Sequence, residues 1–203
     1  MNMKRMLCAA LCGVCLLSGS ALAAEFDDVP EGKWYTEAVN EMADRGIMGG
    51  VRDGVFDPDG LVSRGTVVTV LWRLAGEPAP VGEVFPDTEG KWYAQAAAWC
   101  RDAAIAGGYQ DGSFRGDKAV TRQELAIFLC NYSKWKGEEL AEGPLEVFTD
   151  ADQVAKWARE AVSHAVGMGI LKGDAQGRVD PNGQATRAAL AVMLQRMLTP
   201  AAG

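Results

Sequence analysis

Thr121-Arg122-Gln123-Glu124-Leu125-Ala126-Ile127-Phe128-Leu129 opens an apolar run thirty residues after Trp92, and that spacing decides the fold. Arg64 stands at the same distance from Trp34, and Arg187 from Trp157. Working outward, each unit begins alike, with Phe26-Asp27-Asp28, Phe85-Pro86-Asp87 and Phe148-Thr149-Asp150. Each continues through Gly46-Ile47-Met48-Gly49-Gly50, Ala104-Ile105-Ala106-Gly107-Gly108 or Gly169-Ile170-Leu171-Lys172-Gly173 to Ser63-Arg64, Thr121-Arg122 or Thr186-Arg187. One unit is written three times, and a repeat near sixty residues is a supersecondary element that needs its neighbours to bury its apolar face.

Two helices are expected per unit. Trp34, Ala38, Val39 and Met42 trace one helix face, as do Trp92, Ala96, Ala97 and Cys100, and Trp157, Ala161, Val162 and Ala165. The turns Asp57-Pro58-Asp59-Gly60, Arg115-Gly116-Asp117-Lys118 and Asp180-Pro181-Asn182-Gly183 follow. Ser63, Thr121 and Thr186 then cap a second helix whose stripe runs through Val67, Val68 and Leu71, through Leu125, Ala126 and Leu129, and through Leu190, Ala191 and Leu194. These stripes are wide enough for three second helices to pack together.

The order of these elements resembles the S-layer homology domain, a bacterial cell-wall anchoring module. The resemblance implies an all-α fold: three tandem helix-loop-helix repeats in a pseudo-threefold arrangement around a central three-helix bundle, with the first helices as outer prongs. The expected divisions are a signal peptide at 1–23, repeats at 24–76, 85–132 and 148–198, connectors at 77–84 and 133–147, and a tail at 199–203. The resemblance further implies binding of a secondary cell-wall polysaccharide attached to peptidoglycan, commonly one bearing a pyruvyl ketal, in grooves between repeats. Other S-layer or surface proteins are possible partners, and a coat component acting mainly through protein contacts is the alternative. Two departures stand out: the T-R-A-E glutamate survives only as Glu124, with Thr66 and Ala189 elsewhere, and Gly65 follows Arg64.

Arg64, Arg122 and Arg187 are the leading site candidates, because a guanidinium at a helix N-terminus meets free amides and a dipole that favour anions and can itself grip a carboxylate with two parallel hydrogen bonds. Asp28, Asp87 and Asp150 are read as acceptors for sugar hydroxyls, with turn capping as the other account. Trp34, Trp92 and Trp157 are expected mainly to anchor the first helix in the core, with sugar stacking as the other account. Gly50, Gly108 and Gly173 either end that helix or bare backbone amides to a ligand.

Composition sets limits. Met1 to Ala23 has Lys4 and Arg5, an apolar stretch and Ala21-Leu22-Ala23, the pattern of a secretory leader too short to span a bilayer. Its removal leaves 18 basic residues against 27 acidic ones, a net charge of −9 that disfavours nucleic acid. Secretion to the cell wall or S-layer, without membrane attachment after cleavage, is the expected destination. Of five cysteines, Cys8, Cys12 and Cys15 leave with the leader; Cys100 and Cys130 read as buried thiols, one bridge being the alternative. No metal, cofactor or catalytic set is expected. His164, the sole histidine, reads as a solvated surface residue, and Asp57 would need a glutamate where Val68 stands to open an EF-type calcium loop.

Overall fold

The computed structural model describes residues 26–199; the expected leader and residues 200–203 of the expected tail lie outside them. Six α-helices occur in this span: α1 Thr36–Asp44, α2 Arg64–Leu74, α3 Ala94–Asp102, α4 Arg122–Trp135, α5 Arg159–Gly167 and α6 Arg187–Leu198. Single 3-10 turns and isolated β-bridges supplement them, so the fold is all-α. Helix α4 continues to Trp135, into the stretch read as a connector.

The second helices start where their caps require. Ser63, Thr121 and Thr186 accept hydrogen bonds from the amides of Thr66, Glu124 and Ala189, and Glu124 Oε2 returns a bond from the Thr121 amide at 2.7 Å, completing a capping box in repeat two alone. Their apolar stripes are fully buried: Val67, Val68, Leu71, Leu125, Ala126, Leu129, Leu190, Ala191 and Leu194 are all at 0% exposure. Each such leucine contributes about 1.5–3 kcal/mol by leaving water. Helix α4 packs on both α2 and α6.

The first helices do not pack chiefly on the second helix of their own repeat. Helix α3 lies on α2, α5 on α4, and α1 on α6, so each repeat lends its second helix to the first helix of the next, and the last closes on the first. Backbone bonds repeat this circuit. The Val120 amide donates to Val62, Val62 to Ala185, and Ala185 to Val120, each at 2.9 Å. The opening amides of the second helices do likewise: Arg64 and Gly65 donate to Lys118 and Gly116, Arg122 and Gln123 to Gly183 and Pro181, and Arg187 and Ala188 to Gly60 and Pro58. Those amides are therefore taken, and the expectation that they await an anion is corrected. A helix start buried between repeats must satisfy its donors internally.

The odd residues of the motif have packing reasons. A Cβ on Gly65 would lie 2.5 Å from Cδ1 of Tyr93, and Gly116 faces the same ring, so this buried tyrosine takes the space of the missing side chains. Where repeat three has Ala158 instead, Gln123 spans the gap, donating to Asn182 Oδ1 and accepting from the Ala155 amide. Ala104, which replaces a glycine, adopts φ +55° beside Gly46 at +67° and Gly169 at +70°. Cys100 faces the Val68 carbonyl on α2 and Cys130 the Ala161 carbonyl on α5; both thiols are free and buried, and burial pushes the Cys130 thiol up to about 11. His164 is not a solvated residue as expected: its side chain is 12% exposed, with Nδ1 3.2 Å from the Ala141 carbonyl of the connector.

Candidate functional site

Each motif arginine leans across to the following repeat. Arg64 Nε donates to the Phe114 carbonyl at 3.0 Å and Nη2 to Gly107 at 2.8 Å. Arg187 does the same to Phe56 at 2.7 Å and Gly49 at 2.6 Å. Arg122 donates from Nε to Val179 at 3.0 Å, while Nη2 stands 3.5 Å from Lys172. Among the described residues no carboxylate lies within ion-pair distance of these three guanidinia. Burial lowers the proton affinity of all three, with nearby acidic groups opposing it, and arginine keeps its charge under such shifts.

The tryptophans occupy the opposite place from the one expected. Trp34, Trp92 and Trp157 are 65%, 66% and 62% exposed, so they are not core anchors. Each stands in the turn before its helix, where helical periodicity does not apply, and the neighbouring residue turns inward instead: Tyr93 is 2% exposed and Ala158 0%. The indoles of Trp34 and Trp92 brace edge-on against Tyr35 and Tyr93 at 5.3 and 5.1 Å.

Two clefts join these groups. The first, about 260 Å³, has Arg64 from repeat one, Gly107, Gly108, Glu124 and Phe128 from repeat two and Trp157 from repeat three. The second, about 650 Å³, has Trp34 from repeat one, Arg122 from repeat two and Lys172, Gly173 and Arg196 from repeat three. Both of these clefts thus draw on all three repeats. Arg187 reaches the rim of a further cavity only through Gly49; Gly50 and Arg73 line that cavity and Trp92 does not.

The aspartates do something else. Asp28 accepts from the amides of Phe56 and Asp57, Asp87 from Phe114 and Arg115, and Asp150 from Val179 and Asp180, all at 2.7–2.8 Å. The second residue of each pair has positive φ, at +61°, +54° and +49°, and the carboxylate holds that turn in place. For Asp28 and Asp87, burial raises the carboxyl pKa, but the two amides outweigh it and hold both below the usual value. Both oxygens of each carboxylate thus hold the turn, and none of the three aspartates lines either cleft. The glycines combine roles: a Cβ on Gly50, Gly108 or Gly173 would lie 3.0, 2.7 or 2.8 Å from the motif phenylalanine ring of its repeat, and Gly108 and Gly173 also line the clefts.

Arg196 and Lys172 escaped the sequence reading. A signal existed: nine residues after each motif arginine stands Arg73, Asn131 or Arg196, a polar side chain within an apolar helix. All three donate to the carbonyl of the motif isoleucine, Ile47, Ile105 or Ile170.

Interlocked repeats with an exposed indole and a guanidinium lining both clefts are the class of protein that this fold defines. The S-layer homology domain matches this chain at residues 25–68, 84–126 and 147–191, and the chain belongs to that family, whose place is the bacterial cell surface. It is 31% identical over 183 residues to a surface-layer 125 kDa protein of Lysinibacillus sphaericus, covering 88% of this chain and 15% of that one. It is 29% identical to an amylopullulanase of Thermoanaerobacterium thermosulfurigenes, covering 85% of this chain and 9% of the enzyme. An S-layer protein EA1 of Bacillus anthracis is 25% identical over 171 residues, covering 83% of this chain and 19% of that protein. The chain therefore spans less than a fifth of the length of these relatives.

Proposed function

We propose that this chain is a noncatalytic anchor that holds a secondary cell-wall polysaccharide, attached to peptidoglycan, through an acidic substituent such as a pyruvyl ketal. The observation that carries this reading is the second cleft, where an indole and a guanidinium from different repeats face one cavity. A sugar has two recognition surfaces that suit such a pair: its C–H face lies on an aromatic ring, and its acid group accepts from a planar cation. Similarity to surface-layer proteins, and to enzymes matched over a small fraction of their length, supports an anchoring segment over a catalytic one. Repeats 24–76, 85–132 and 148–198 act together in this reading, since the first and second clefts each take residues from all three.

Sedimentation with purified sacculi, before and after stripping the attached polysaccharide, tests the reading. Wild type is expected to pellet only with the polymer present, and Arg122→Ala to bind about tenfold or more weakly, the effect of losing a charge-assisted hydrogen bond. Pelleting indifferent to both changes overturns it. Assembly through protein contacts, for which the exposed tryptophans are also suited, would show instead as concentration-dependent sheets formed without wall material.

A further inference from the structure

The first two clefts share motif residues but have unlike walls. In the first, the Arg64 guanidinium is enclosed by rings, 4.7 Å from Phe114, 5.2 Å from Tyr109 and 5.4 Å from Phe128. Arg64 is 9% exposed, Glu124 adds an acid to the wall, and the remaining 260 Å³ falls below the roughly 300–1,000 Å³ of ordinary ligand sites. In the second cleft, Asp174, Val179 and Met193 stand at the positions of Tyr109, Phe114 and Phe128. No described ring lies under Arg122, and the space opens to about 650 Å³, within the ligand range.

Charge follows the same division. Arg122, Lys172, Arg178 and Arg196 line the second cleft against Asp174 and Asp180. Asp174 is engaged by Arg178 at 2.7 Å, which leaves Arg122 and Arg196 without an ion-pair partner among the described residues. Asn131, which is neutral, holds the Arg196 position in the first cleft. The two guanidinia also sense each other: burial, and then the charge of Arg122, lower the proton affinity of Arg196. Two like charges on one partly desolvated cavity repel, and an anion placed between them turns repulsion into two attractions.

Resting on the anchoring reading, we infer that the second cleft is the principal polymer site, taking a glycan unit with a carboxylate or phosphate group shared between Arg122 and Arg196, and that Tyr109 closes the first cleft. Arg196 is then a specificity residue of the second cleft, which the first lacks because Asn131 stands at its position.

The tryptophans supply a test, since Trp34 and Trp157 report on different clefts. The probe is polysaccharide released from sacculi by muramidase, titrated into 15N-labelled protein while the indole N–H signals, assigned with Trp→Phe variants, are followed. Trp34 is expected to shift first, with Trp157 unmoved at the same concentrations. Arg196→Gln should weaken binding about tenfold, and Arg196→Lys should retain part of the affinity; thermal melts establish that each variant is folded. Amidating the carboxylates of the probe in one arm, and removing phosphate with hydrofluoric acid in another, identifies the acid by which arm abolishes binding. Trp157 or Trp92 shifting before Trp34, an Arg196→Gln variant with wild-type affinity, or binding that survives both arms overturns the inference while leaving anchoring intact. Silence at every indole, with pelleting indifferent to the polymer, removes the anchoring reading as well.

Discussion

The backbone interlock at the second-helix starts and the clefts beside it are built from overlapping residues yet differ in uniformity. In the interlock all three repeats make the same bonds: an aspartate on two turn amides, two helix-start amides on the next turn, and an arginine Nε on a carbonyl across the junction. In the clefts, volume, aromatic lining and charge all change from one junction to the next. A repeated motif thus specifies how units join, while residues outside it set what each junction can hold. Stability and binding should accordingly respond to different substitutions.

The strongest challenge to that division is Asp150→Ala. This buried carboxylate holds two amides, and its loss should cost about 3 kcal/mol, lowering Tm by roughly 6–12 °C in a chain of this size, as calorimetry would show. Weakened polymer binding by the still-folded protein at low temperature would break the separation. Next in size, Arg64→Gln should cost about 2–3 kcal/mol, because it removes a buried cation from two carbonyls and three rings; a melt within 1 °C of wild type would mean that the first junction does not depend on it.

Tyr109→Asp sharpens the comparison by giving the first cleft the residue of the second. A stability change within about 1 kcal/mol is expected, together with a new response of the Trp157 indole to wall polysaccharide; continued silence of Trp157 would mean that Tyr109 is not what closes the cleft. Ala104→Gly lies in the interlocked frame, at a left-handed position where the other repeats have glycine, and should stabilise by about 1 kcal/mol in urea unfolding. A loss of stability there would refute the strain.

The smallest effect concerns pH. Asp28 and Asp87 have folded pKa values below the ordinary 3.8, so the unfolded chain takes up protons first as pH falls. Their contribution is complete above that value and is lost as pH drops through the folded values. Tm should be flat with respect to these groups above pH 5 and decline below pH 4, less steeply in Asp87→Asn; an unchanged acid slope in that variant would remove Asp87 from the account.

Much of this was legible before any coordinates. Residues 121–124 announce a capped helix because the hydroxyl, the amide it accepts from and the returning glutamate lie within three positions, so no distant partner enters the reading. The tryptophans were misread because they precede the helix whose periodicity was used to place them. Spacing left the aspartates with two accounts, a sugar or a turn, because the amides they hold lie 27 to 30 residues away, across an intervening helix.

The chain by itself determined three copies of a helix-loop-helix unit, their caps, their turns and the family to which they belong, since each is written in local spacing or in its recurrence. Tertiary structure alone decided which helix each copy covers, that the indoles face solvent, and that Arg196 joins Arg122. Partners such as Arg64 and Gly107, 43 residues apart, or Arg187 and Gly49, 138 apart, are brought together by closure of the repeat circuit, and no short-range pattern encodes that closure.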